Sequence, residues 1–73
     1  MPLNFAEAGV PLVIARVGGT SKVRSHLENL GITLGAMISI VQHTSSGLIL
    51  NIRDSRVAIS TEMAGKIIVQ EQK

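Results

Sequence analysis

The chain has no cysteine, no tryptophan and no tyrosine, one phenylalanine and two prolines. Without thiols there can be no disulfide, no thiolate nucleophile and no zinc or iron–sulfur site built on cysteine. Barrels that hold single-stranded nucleic acid stack bases on aromatic rings for about 1–3 kcal/mol per base, and Phe5, the one ring available, is expected to be buried. Charge of either sign is also sparse. Seven Lys and Arg against five acids leave +2, and the basic side chains are scattered through Arg16, Lys22, Arg24, Arg53, Arg56, Lys66 and Lys73 rather than gathered into a phosphate-tracking stripe. No apolar run approaches the roughly 20 residues needed to cross a bilayer as a helix. The first residues lack the basic and apolar regions of a secretory signal. These absences predict a cytoplasmic protein that neither inserts into membranes nor binds nucleic acid.

What is present is aliphatic. Of the 73 residues, 45% are hydrophobic, almost all Val, Ile, Leu, Ala and Met, which suits β-rich core packing. That length gives one domain over residues 1–73, with a short N-terminal turn over 3–9 and a loose tail over 70–73. Asn4 and Glu7 have the spacing of a capping box, and Gly9 is placed to end the turn. Pro11 to Val17 is rich in Val and Ile but alternates poorly, which predicts a strand buried on much of both faces. Thr20 or Ser21 can cap a helix over 21–30 whose Val23, Leu27 and Leu30 make one apolar stripe. Gly31 supplies the positive φ needed to stop it, and Ile32 can fold back as in a Schellman motif. Ala36 to Thr44, Leu48 to Arg53 and Arg56 to Ser60 read as a meander joined by Ser45-Ser46-Gly47 and Asp54-Ser55. Ser60 or Thr61 then caps a helical turn closed by Gly65, and Lys66 to Val69 is a last strand. The architecture is mainly β: a small antiparallel barrel of five strands, closed or nearly so, with one short α-helix between strands 1 and 2 and a helical turn before strand 5. An open sheet with the helix on one face is the alternative.

Reactive groupings are scarce. His26 and His43 are the only imidazoles and share no metal-binding spacing. Glu7, Glu28, Asp54, Glu62 and Glu71 fall singly in turns, surfaces and tail, with no pair placed for acid–base work. Ser45-Ser46-Gly47 lacks the frame of a nucleophile elbow. Gly18-Gly19 precedes a helix, but neither phosphate-loop pattern is present. A binding module, with no catalytic, cofactor or metal residues, is the reading. Lys22 and Arg24 stand out within it, because cations in a helix's first turn oppose its dipole by some tenths of a kcal/mol.

Two blocks carry a family resemblance. Val23-Arg24-Ser25-His26-Leu27-Glu28-Asn29-Leu30-Gly31-Ile32-Thr33-Leu34-Gly35 resembles a basic helix followed by L-G-aliphatic-x-x-G, and Val57 to Val69 resembles a closing strand, x-x-A turn and I-x-V strand. Both are features of the FeoA family, small SH3-like cytoplasmic proteins associated with bacterial ferrous iron transport. The pattern departs from many members at Leu34, where they have Pro, at Ser60, where they have Arg, and at the shorter Ser45–Gly47 turn. The resemblance implies an SH3-like barrel that helps the FeoB membrane GTPase by contacting its cytoplasmic part. It does not imply iron binding by this chain. The surface expected to make the contact is Lys22, Arg24, Ser25 and Glu28 together with the Leu34-Gly35 turn, the bland alternative being an ordinary solvated face. A regulatory module that binds a transcription factor or peptide stays open as the other function, and weak self-association is compatible with either.

Overall fold

Aliphatic alternation between turn residues builds the sheet. The computed structural model describes residues 1–72. It contains strands β1 (Leu12–Val17), β2 (Met37–His43), β3 (Gly47–Ile52), β4 (Ser55–Ser60) and β5 (Ile67–Glu71), with helices α1 (Ser21–Asn29) and α2 (Thr61–Ala64). The strands form one antiparallel sheet in the order β4-β3-β2-β1-β5. Leu12, Ile14, Ile38, Ile40, Leu48, Leu50, Ile52, Ile59, Ile67 and Val69 all point into a single cluster that also takes Leu27 from α1 and Ala64 from α2. No described residue that is buried is polar or charged. Burial of aliphatic surface, at about 25 cal/mol per Å² removed from water, therefore supplies the main stabilising term.

The helices start and stop by backbone chemistry written in the sequence. Thr20 Oγ1 accepts the Val23 amide at 3.2 Å, satisfying one of the unpaired donors of the first turn of α1. At the other end Gly31 adopts φ 92°. That conformation lets Gly31 donate to Glu28 and Ile32 donate to Leu27, each at 2.9 Å, the two bonds of a Schellman motif. Ile32, completely buried, is the hydrophobic contact that accompanies the motif. Ser60 Oγ caps the single turn of α2 in the same way, accepting from the Met63 amide.

Several expectations change at the edges. The N-terminal turn is a 3-10 turn over Leu3–Phe5, and Asn4 and Glu7 do not form a capping box within it. Burying Leu3 and Ala6 fixes the frame of this turn, which leaves the Asn4 Oδ1 without a partner and turns Phe5 outward at 75% exposure. The single aromatic ring, expected inside, is thus on the surface. β1 is buried on one side only: Leu12 and Ile14 face the core while Ala15 and Arg16 are both exposed. A bulge between Ile14 and Arg16 in the ladder with β5 breaks the strict alternation that would otherwise bury one of that pair. Gln70 and Glu71, expected in a loose tail, extend β5 and pair with Val13 and Leu12. Lys73 lies outside the described residues.

The sheet curls around its core without closing. Among the described residues β5 has no ladder with β4. Its outer edge is taken instead by the first two residues: Val69 donates to the Met1 carbonyl at 2.8 Å, the Met1 amino group donates back at 3.2 Å, and Pro2 bridges to Ile68.

Candidate functional site

The face of α1 that does not reach the core is presented beside β1. Leu27 is completely buried, Val23 and Leu30 are partly so, and the remaining side chains of the helix are exposed. Because residues three and four apart share a helix face, Arg24, Ser25 and Glu28 line up together opposite the outward side chains of β1. The chain then leaves the helix through Gly31 and returns to β1 at the Leu34-Gly35 turn. That turn is pinned from both sides, with the Gly35 amide donating to the Ile14 carbonyl at 2.8 Å and the Ile14 amide to the Ala36 carbonyl at 3.0 Å. Gly35 adopts φ 81°, a conformation that costs a side-chain-bearing residue about 1–2 kcal/mol.

These elements enclose an open groove of about 520 Å³. Arg24, Ser25 and Glu28 line one wall, Arg16 and Val17 the other, and Leu34 stands at the end. Leu34 is 70% exposed, an apolar side chain held in solvent by a pinned turn. Neither Arg16 nor Arg24 is ion-paired among the described residues, where the one salt bridge joins Lys66 to Glu62 on the other side of Gly65. Two unpaired guanidinium groups, one carboxylate and an exposed aliphatic tip can hold an extended or helical protein segment carrying acidic and apolar side chains.

Of the six residues singled out from sequence, the groove brings together Arg24, Ser25, Glu28 and Leu34. Lys22 lies on the exposed first turn outside the groove lining, and Gly35 shapes the turn without lining it. Sequence reading missed Arg16 and Val17. The available signal was Ala15-Arg16, a small residue and a charge inside an otherwise apolar run, which marks the bulge that rotates Arg16 outward.

His43 serves structure: its Nε2 lies 3.1 Å from the Ala6 carbonyl and ties β2 to the N-terminal turn. Among the described residues no three His, Asp or Glu side chains converge, and no helix is long and apolar enough to cross a membrane.

Comparison with known proteins gives the family. The chain is 24% identical over 70 residues to a protein named as an Fe(2+) transport protein A in Methanocaldococcus jannaschii, covering 96% of this chain and 85% of that one. It superposes on a crystal structure described as iron uptake regulatory protein (FeoA) with a TM-score of 0.91 at 26% identity, over 99% of this chain and 97% of the other. A structure of ScaR with bound Zn2+ matches over 99% of this chain and 37% of its own, with a TM-score of 0.89 at 19% identity, which shows the shared SH3-like fold alone. The model of the FeoA domain matches residues 1–71, and the chain belongs to the FeoA family.

Proposed function

We propose that this chain is a cytoplasmic accessory protein of ferrous iron uptake that binds the cytoplasmic part of a FeoB-like membrane GTPase and modulates it by contact. The groove between α1 and β1, with its unpaired Arg16 and Arg24 beside exposed Leu34, is the observation that carries this reading. Family membership over residues 1–71 supplies the transport context. The protein acts by docking rather than catalysis, and iron is handled by the partner.

Charge reversal separates docking from folding. Lys22→Glu favours the dipole of α1 by some tenths of a kcal/mol, while Arg24→Glu gains there and loses a similar amount against Glu28 four residues on. The double variant should unfold within about 0.5 kcal/mol of the parent by urea denaturation. Its association rate with the GTPase's cytoplasmic part should fall about tenfold at low salt, the difference shrinking as salt screens the charges. Unchanged kinetics in a folded double variant would reject α1 as a contact surface.

A further inference from the structure

A sheet in this order has two outer edges, and the chain treats them differently. The edge of β5 is occupied by Met1 and Pro2, and proline presents no N–H for a further strand. The edge of β4 carries little of the usual protection, a single charged side chain. Its register with β3 runs from Gly47↔Ser60 to Ile52↔Ser55 without a bulge, whereas the β1–β5 and β2–β3 ladders are each interrupted. It has no proline, and Arg56 is its one charge.

Hydrogen-bond parity identifies the groups left over. The Thr61 amide donates to the Ser46 carbonyl, one step beyond the Gly47↔Ser60 pair. Bonds in an antiparallel ladder alternate, so Ser55, Val57 and Ile59 bond toward β3 while the amides and carbonyls of Arg56 and Ala58 and the amide of Ser60 point away from the sheet, the Ser60 carbonyl serving as the N-cap acceptor of α2. The side chains of those same three residues are exposed.

We infer that β4 pairs with β4 of a second copy of this chain, antiparallel about a two-fold axis at Ala58. In that register Ala58 meets Ala58 of the second copy, and Arg56 meets Ser60. No like charges face each other, which a charge at Ala58 would not have allowed. Val57 and Ile59 fall opposite one another on the inner side and continue the apolar layer. On the outer side the stem of Arg56 from the second copy lies in the hollow of about 510 Å³ lined by Ile49, Ala58 and Ser60. The capped β5 edge leaves no matching edge for head-to-tail addition, so pairing closes at two copies. One strand pair buries less than the roughly 1,200 Å² of a standard interface, so the dimer is a weak one. None of the α1–β1 groove residues takes part, and the inference stands independently of the proposed function.

Sedimentation equilibrium over a wide concentration range tests it, with Ala58→Lys and Ala58→Glu prepared separately and mixed. The wild-type mass should climb toward twice the chain mass as concentration rises. Each variant alone should associate more than about tenfold more weakly, and the equimolar mixture should recover association, because only a two-fold at residue 58 sets lysine against glutamate. Hydrogen exchange on the wild type checks the same register without a substitution: the Arg56, Ala58 and Ser60 amides should slow as concentration rises. A wild type that keeps single-chain mass throughout, single variants that associate as it does, or exchange at those amides that ignores concentration would each overturn the inference.

Discussion

Gly47→Ala should abolish most of this domain's stability. A Cβ built on Gly47 would lie 2.0 Å from the Ile59 carbonyl oxygen and 3.0 Å from both the Ile59 carbonyl carbon and the Ser60 Cα. All three are backbone atoms, so no side chain can swing away to make room. Relief requires β3 to separate from β4, or the turn from Thr44 to Gly47 to open. That turn is held by the Thr44 amide donating to the Gly47 carbonyl at 2.8 Å and the Gly47 amide donating to Thr44 Oγ1 at 3.0 Å. Overpacking against movable neighbours costs about 1–3 kcal/mol, and against fixed backbone the expected cost is at the top of that range or beyond it. Thermal unfolding should show a midpoint lowered by at least about 12 °C, at roughly 4–8 °C per kcal/mol for a chain of this size. Gly9→Ala is the control. Gly9 has φ 84° with nothing within 4 Å of the added Cβ, so only the left-handed backbone opposes it, at about 1 kcal/mol. Equal losses at the two glycines would contradict the close approach of β3 and β4.

Leu27→Ala should be comparably severe for a different reason. Leu27 is the completely buried side chain by which α1 joins the core, and it packs in the same cluster as Ile32 and the inward residues of the sheet. Leucine-to-alanine changes at such sites cost about 2–5 kcal/mol through lost transfer energy and the cavity left behind. The better helix propensity of alanine returns only a few tenths. A domain this small has a total stability near the low end of the roughly 5–15 kcal/mol usual for folded proteins, so a substantial unfolded fraction is expected at 37 °C. The midpoint in urea should drop with little change in slope. Binding to the GTPase should fall in step with the folded fraction, in contrast to the folded charge-reversal variant. A stability loss below about 1 kcal/mol would mean that α1 is not anchored through Leu27.

Legibility in the sequence followed locality. Thr20, Gly31 and Ile32 define both ends of α1 because capping is decided by residues within a few positions of each other, and the structure realises those bonds. The meander and the cap of α2 at Ser60 were readable for the same reason. Features decided by distant partners were not. Phe5 is exposed because Leu3 and Ala6 take the buried positions of the N-terminal turn, a choice made by β5 and β2 rather than by neighbouring residues. Gln70 and Glu71 look like a polar tail until β1 offers them a ladder. The unclosed seam depends on Met1 and Pro2 reaching the edge of β5, a pairing between opposite ends of the described chain. In the candidate site the helical half, Arg24, Ser25 and Glu28, was visible as cations misplaced in a first turn and their face-mates. Arg16 and Val17 were not, since the outward position of Arg16 comes from a bulge set by β5 and Val17, partly buried against the core, meets the groove only beside it.

The most direct test of docking through the α1–β1 groove is an amide chemical-shift titration of the isotope-labelled chain with the cytoplasmic part of a FeoB-like GTPase. Shifts should gather at Arg16, Val17, Arg24, Ser25, Glu28 and Leu34, with the amides of β4 unmoved. No shifts at saturating GTPase, or shifts confined to β3 and β4, would contradict the account.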